Sequence, residues 1–181
     1  MEKDNEKPIK VVVTGPESTG KSTLCSALAK YYKTDYVPEY AREYLIENGR
    51  EYIKEDLIKI TEGQIKLEEQ YQKQISNLLV CDTSLEVIRV WSEWKYNSCD
   101  PFILEQANAR TPDLFLLMTP DLPWQPDPLR ENPDDRQEIF AYYKKVLTEY
   151  HVKVVEVYGD EKSRKEIAIN SLNDLFPTLS Q

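Results

Sequence analysis

The chain has 181 residues, 30% charged and 40% hydrophobic, with a net charge of −9, which suits one globular domain with a sizeable core. No apolar run approaches the ~20 residues of a membrane span, and the mixed-charge start Met1-Glu2-Lys3-Asp4-Asn5-Glu6-Lys7 lacks a secretory apolar stretch. The acidic balance, with no Lys/Arg block, argues against a nucleic-acid backbone as partner, and the singly placed cations suit a small anionic ligand better. Cys25, Cys81 and Cys99 are odd in number and lack C-x-x-C spacing, so a reducing, cytoplasmic setting is expected. A single domain over 1–181, with a short tail at 1–8, accounts for the length.

In chain order, Ile9-Lys10-Val11-Val12-Val13-Thr14 predicts a buried strand, and residues 23–32 a helix with Leu24, Ala27, Leu28 and Tyr31 on one face. Between them stands Gly15-Pro16-Glu17-Ser18-Thr19-Gly20-Lys21-Ser22, the pattern G-x-x-x-x-G-K-[ST] in its required strand-to-helix context. Backbone N–H groups of such a loop wrap phosphates, and the positive end of the helix adds to them. Gly15, Glu17, Ser18, Thr19, Gly20, Lys21, Ser22 and Thr23 are therefore the candidate nucleotide-binding residues. Lys21 is placed to reach the β- and γ-phosphates, and the Ser22 hydroxyl to hold magnesium.

Further on, Tyr36-Val37-Pro38 predicts a short strand ending at Glu39, then a helix over 40–48 that stops at Gly49. A longer helix is predicted over 54–76, with Leu57, Ile60, Leu67, Tyr71 and Ile75 along one stripe. Leu78-Leu79-Val80-Cys81 reads as a central strand ending in Asp82. Thr83 and Glu86 form a capping box for a helix carrying Leu85, Ile88 and Trp91. A helix over 101–109, a strand over 114–118 and a loop over 120–133 with five prolines follow. Asn132-Pro133-Asp134-Asp135 is expected to open the next helix. A strand over 152–157 and a helix over 162–175 close the chain. Alternating strands and helices predict an α/β fold with a parallel sheet.

Several polar residues fall where chemistry is expected. Asp82 ends a buried strand at the carboxyl edge of the sheet, as a magnesium-holding carboxylate beside Ser22 or as a turn aspartate. Glu39 ends a strand at the same edge, where a carboxylate can take or orient a substrate hydroxyl proton. Arg42, one turn on, either pairs with Glu39 on the surface or touches phosphate. Gln64 interrupts an apolar stripe, so it either hydrogen-bonds in the core or faces a cavity, and the cavity is favoured. The proline-rich segment holds Trp124, Asp127 and Arg130, with Arg136 beyond, and reads as a lid. There Trp124 can stack on a flat ring, Asp127 bind hydroxyls, and Arg130 and Arg136 spread charge in phosphoryl transfer; solvated loop or helix-start cations are the plainer reading of the two arginines. His151, the lone histidine, is read as structural.

Gly15-Pro16-Glu17-Ser18-Thr19-Gly20-Lys21-Ser22, Glu39-Tyr40-Ala41-Arg42-Glu43, Gly63-Gln64, Cys81-Asp82-Thr83 and Pro123-Trp124-x-x-Asp127-x-x-Arg130 occur in this order. Together they resemble the ribosylnicotinamide kinase domain of the NadR family, from about Val11 to the last strand. The resemblance implies a P-loop three-layer α/β sandwich with a five-stranded, mostly parallel sheet and an arginine-bearing lid. It implies transfer of the γ-phosphate of ATP, with Mg2+, to the 5′-hydroxyl of nicotinamide riboside in NAD salvage. Lys21, Asp82, Glu39, Arg130 and Arg136 would then be catalytic, and Glu39, Tyr40, Arg42, Gln64, Trp124 and Asp127 substrate-binding. Bifunctional members carry an upstream adenylyltransferase signature with two histidines, so adenylyl transfer is not expected of a sequence with one. A kinase for another nucleoside or nucleotide and a nucleotide-sensing regulator stand as alternatives. A GTPase switch is disfavoured by the missing N-K-x-D tetrapeptide.

Overall fold

The computed structural model describes residues 7–180, so most of the expected tail at 1–8 lies outside the described residues. Five strands, β1 (Ile9–Thr14), β2 (Tyr36–Val37), β3 (Leu78–Asp82), β4 (Leu114–Met118) and β5 (Lys153–Val157), form one sheet in the order β2-β3-β1-β4-β5. Every pairing is parallel, with Val13 opposite Asp82 and Val12 opposite Phe115. Helices α1 (Lys21–Tyr32), α2 (Tyr40–Asn48), α3 (Asp56–Gln72), α4 (Leu85–Tyr96), α5 (Pro101–Ala109), α6 (Arg136–Thr148) and α7 (Glu161–Leu175) make the crossovers.

The central strands β3 and β4 are buried along their whole length because both of their faces are covered, whereas the edge strand β5 exposes Lys153 and Glu156. Successive side chains point to opposite faces. Val11, Val13, Leu78, Val80, Leu114, Leu116 and Met118 pack with Leu24, Leu28, Ala168 and Leu172 of α1 and α7. Val12, Leu79, Cys81, Phe115 and Leu117 pack with Leu57, Ile60, Ile88, Ile103 and Leu147 of α3 to α6. The result is the expected three-layer arrangement, and it puts the free, buried Cys25 and Cys81 on opposite sides of the sheet. Among the described residues no helix is long and apolar enough to cross a membrane.

Three local expectations need correction. α3 ends at Gln72 rather than running to residue 76: the Gln74 N–H turns onto the Tyr71 carbonyl three residues back (2.9 Å), which closes the helix before β3. Its fully buried stripe is Leu57, Ile60, Thr61, Gln64 and Glu68, whereas Leu67, Tyr71 and Ile75 are only partly covered. Thr83 does not cap α4: it sits at φ 63°, its hydroxyl has no partner, and Ser84 takes the N-cap position. α6 starts at Arg136, not near Asn132: Asp135 takes the N-cap position, its carbonyl accepting the Ile139 N–H (2.9 Å), while the Glu131 and Asn132 amides are tied to Glu17.

The chain leaves β1 toward β3 on one side and β4 on the other, so the crevice beyond the carboxyl end of β1 is the switch point where ligands bind. The glycine-rich loop occupies it.

Candidate active site

The loop after β1 has little freedom. Gly15 sits at φ 131°, and a Cβ there would stand 2.7 Å from the Met118 carbonyl oxygen of β4. Ser18 at φ 57° and Gly20 at φ 79° turn the chain so that Gly20 is the N-cap of α1. The Thr19 hydroxyl donates to the Pro16 carbonyl (2.8 Å), and the Lys21 ammonium donates to the carbonyls of Gly15 (3.0 Å) and Pro16 (2.8 Å).

Arg164 of α7, 3% exposed, fixes this loop from below. Its guanidinium donates to the carbonyls of Thr19 (2.7 Å), Thr119 (3.1 Å) and Gly159 (2.6 Å), and it pairs with Asp121, which accepts the Gly159 N–H (2.7 Å). The chemistry-based reading missed Arg164. Its signal was an arginine in register with the buried Ala168 and Leu172, four and eight residues on.

The two candidate carboxylates meet the loop at the sheet edge. Asp82 is 5% exposed; its Oδ2 accepts a hydrogen bond from the Ser22 hydroxyl and its Oδ1 has no partner. Burial pushes the Asp82 carboxyl above its ordinary value, against the pull of Ser22, Lys21 and Arg42. Burial likewise pushes Glu39 up to about 7, Lys21 and Arg42 pulling it down and Asp82 adding to the rise. A hydroxyl and a carboxylate with a free buried oxygen form the hard oxygen donor set that magnesium takes, so Ser22 and Asp82 fit the ion.

The segment between β4 and α6 is clasped onto the loop. The Glu17 carboxylate accepts the N–H groups of Glu131 (3.1 Å) and Asn132 (3.0 Å), and the Ser18 hydroxyl accepts that of Gln125 (2.8 Å). Arg130 donates to the Gln125 carbonyl and, at 3.5 Å, to the Ser18 hydroxyl; Arg136 donates to the Leu122 carbonyl (3.0 Å). Both guanidinium groups lie over the Trp124 ring, at 5.9 and 5.7 Å from its centre. Arg42 pairs with Asp127 (2.9 Å) rather than with the Glu39 side chain, joining α2 to this lid.

A cavity of about 720 Å³ runs under the lid. The residues from Gly15 to Thr23 line it, with Glu39, Arg42, Asp82, Asp127 and Arg130. Val87, Val90, Trp91 and Trp94 of α4, with Leu45 and Tyr143, also line it. Four expected site residues do not line it. Gln64 stays in the core, 2% exposed, where its oxygen accepts the Tyr40 N–H (3.0 Å) and its amide donates to Glu68 (3.0 Å). The Tyr40 ring packs over Gly63 of α3, while Trp124 and Arg136 lie against each other outside the lining. Trp91, Trp94 and Tyr143 were not singled out for the ligand, since helical periodicity cannot separate a core face from a cavity face.

A family model described as an AAA domain matches residues 10–164. The trifunctional NAD biosynthesis/regulator protein NadR of Escherichia coli (strain K12) is 29% identical over 158 residues, which cover 83% of this chain and 38% of that protein. The chain thus spans about two fifths of the length of that curated relative. A crystal structure of NadR in complex with NR matches with a TM-score of 0.78 at 23% identity, over 93% of this chain and 50% of that one. Thymidylate kinase from Candida albicans matches with a TM-score of 0.66 at 15% identity, over 96% and 94% of the two chains. These likenesses establish a P-loop fold of the nucleoside and nucleotide kinase type.

Proposed function

The chain belongs to the AAA domain family, and we propose that it is a small-molecule kinase that moves the γ-phosphate of ATP to the 5′-hydroxyl of nicotinamide riboside. One observation carries this reading: Lys21, Asp82 and Glu39 border the same cavity that Trp91, Trp94 and Tyr143 also line. The similarity to NadR, solved with NR, favours the riboside as acceptor.

Phosphoryl transfer asks a protein mainly for positioning and charge stabilisation. The loop amides and Lys21 hold the phosphates. Ser22 and Asp82 would hold magnesium, which would supply charge neutralisation at the phosphates. Glu39 holds the acceptor hydroxyl and takes its proton as the new O–P bond forms and the bond to ADP breaks. Arg130, which lines the cavity, faces the transferring group, while Arg136 and Trp124 brace it. Arg42 and Asp127 hold the lid over α2 and keep water out. Trp91 and Trp94, which line the same cavity, suit a flat base.

The test is ADP release from magnesium-ATP across a panel of nucleosides. Nicotinamide riboside is expected to stimulate release well above the acceptor-free blank. Turnover with another nucleoside alone would replace the acceptor. Binding of ATP and GTP alike, with no acceptor-dependent turnover, would instead favour the nucleotide-sensing reading.

A pH profile probes Glu39 separately. With its carboxyl raised from 4.5 to about 7, kcat/KM is expected to climb as pH rises through about 7, and Glu39→Gln to remove that limb. The sign for stability is opposite. Between about 4.5 and about 7 the unfolded chain loses this proton and the folded one keeps it, so folding weakens as pH rises through that window and levels off above it. Glu39→Gln is therefore expected to lose turnover yet melt higher than the parent at pH 8. A lower melting temperature there would remove the desolvated carboxylate from this account.

A further inference from the structure

A buried polar chain lies beneath the site, on the α3 side of the sheet. The Lys10 ammonium of β1 donates to Glu68 Oε2 (2.7 Å), to the Ser84 hydroxyl (3.3 Å) and to the Arg110 carbonyl (3.0 Å). Glu68 Oε1 accepts the Ser84 hydroxyl (2.5 Å) and the Gln64 side-chain amide (3.0 Å). The Gln64 oxygen then accepts the backbone N–H of Tyr40 (3.0 Å). Burial works against the Lys10 ammonium, but Glu68, with Cys81 and Glu86 nearby, outweighs it and holds the group above its ordinary value.

The two ends of this chain fall beside the two carboxylates. Tyr40 follows Glu39 directly, and Ser84 lies two residues after Asp82. Resting on the kinase reading, we propose that Gln64 and Glu68 are positioning residues for phosphoryl transfer, setting Glu39 and Asp82 in a fixed relation across β2 and β3.

Three observations favour this over a purely structural role. A buried ion pair contributes little or nothing net to stability compared with a well-packed apolar face, so stability alone does not call for one here. The network is complete: the Lys10 donors, both Glu68 oxygens and both ends of Gln64 are engaged, which makes such a network rigid. Each end also meets a constraint of its own. At Asp82 the next residue, Thr83, is β-branched at φ 63°, a costly backbone that persists only where the surroundings over-determine it. Its N–H is fixed to the Val13 carbonyl (2.9 Å), and Ser84 makes both of its network bonds just beyond. At Glu39 the Tyr40 ring packs so closely over Gly63 that a Cβ there would come within 1.9 Å of it. α2 is thus keyed to α3 one residue away from Gln64.

The experiment compares Gln64→Leu, Ser84→Ala, Glu39→Gln and the Gln64→Leu/Glu39→Gln double variant in the full chain. It reads acceptor-dependent turnover, the magnesium-ATP dissociation constant and native-state amide exchange at Tyr40. Gln64→Leu is expected to lower kcat about tenfold or more with ATP affinity within about threefold, and to speed Tyr40 exchange about tenfold. The kcat loss is expected to shrink in the Glu39→Gln background, because residues acting as one unit are not additive. Ser84→Ala, a milder change at the other end, keeps the test open if Gln64→Leu does not fold; its kcat is expected to fall about threefold. A kcat within twofold of the parent in a folded Gln64→Leu chain, or an undiminished loss in the double variant, would overturn the proposal. So would unchanged Tyr40 exchange, which needs no acceptor. Full activity of Glu39→Gln would overturn it as well, since it would leave no carboxylate role for Gln64 to position, whereas an acceptor panel without turnover would instead strike the kinase reading.

Discussion

Asp82→Asn is expected to lower acceptor-dependent turnover by about a hundred- to a thousandfold, the usual effect of removing one preorganised charge-stabilising group. The substitution keeps the shape and a hydrogen-bond acceptor for Ser22, but it removes the charge and turns one carboxylate oxygen into a donor. A donor where Oδ1 now stands without a partner cannot hold a cation. Stability should move the other way. Burial already penalises the ionised form of Asp82, so a neutral amide relieves that cost, and the melting temperature should hold or rise. The loop amides and Lys21 remain, so ATP should still bind without magnesium, and the ion's enhancement of binding should shrink. Three measurements check this: turnover, ATP affinity with and without magnesium, and thermal unfolding. Turnover within about tenfold of the parent would remove Asp82 from the catalytic machinery.

How much of this was legible in the sequence depends on the range of the interactions concerned. All five strands and the loop between β1 and α1 were readable, since apolar runs and the G-x-x-x-x-G-K-[ST] spacing are local signals. The strand end at Asp82 followed from the same signals, whereas β2 stops at Val37 and Glu39 stands beyond it as the N-cap of α2; both residues border the cavity. What failed was non-local. The segment before α6 is tied to Glu17, more than a hundred residues earlier, through the Glu131 and Asn132 amides, and the helix opens only at the Asp135 carbonyl. Thr83 looked like a cap because the pattern says nothing of the left-handed turn that β3 imposes before Ser84. Gln64 was recognised as a polar interruption, but its direction was set by Glu68 and by the Tyr40 N–H from another helix. Arg42 likewise found its partner in Asp127 across the lid rather than one turn away.

Gly15→Ala should be the most damaging single-methyl change in the loop. A Cβ at this position meets the Met118 carbonyl oxygen at 2.7 Å and the Met118 nitrogen at 3.2 Å, both backbone atoms of a central strand that cannot swing aside. The φ of 131° adds strain that glycine escapes. Backbone strain costs about 1–3 kcal/mol and overpacking about the same again, so a loss of about 3 kcal/mol is expected. For a domain of this size that lowers the melting temperature by on the order of 10 °C. The alternative is for the chain to yield by moving the loop away from β4, which would turn its amides off the phosphates and weaken ATP binding. Gly49→Ala separates the two contributions. Gly49 also has positive φ, 65°, at the end of α2, but a Cβ there meets nothing within 4 Å. Its substitution should therefore cost only the left-handed strain, about 1 kcal/mol, and leave ATP affinity as it was. Equal losses at the two glycines would mean that the contact between Gly15 and β4 does not hold the loop in place.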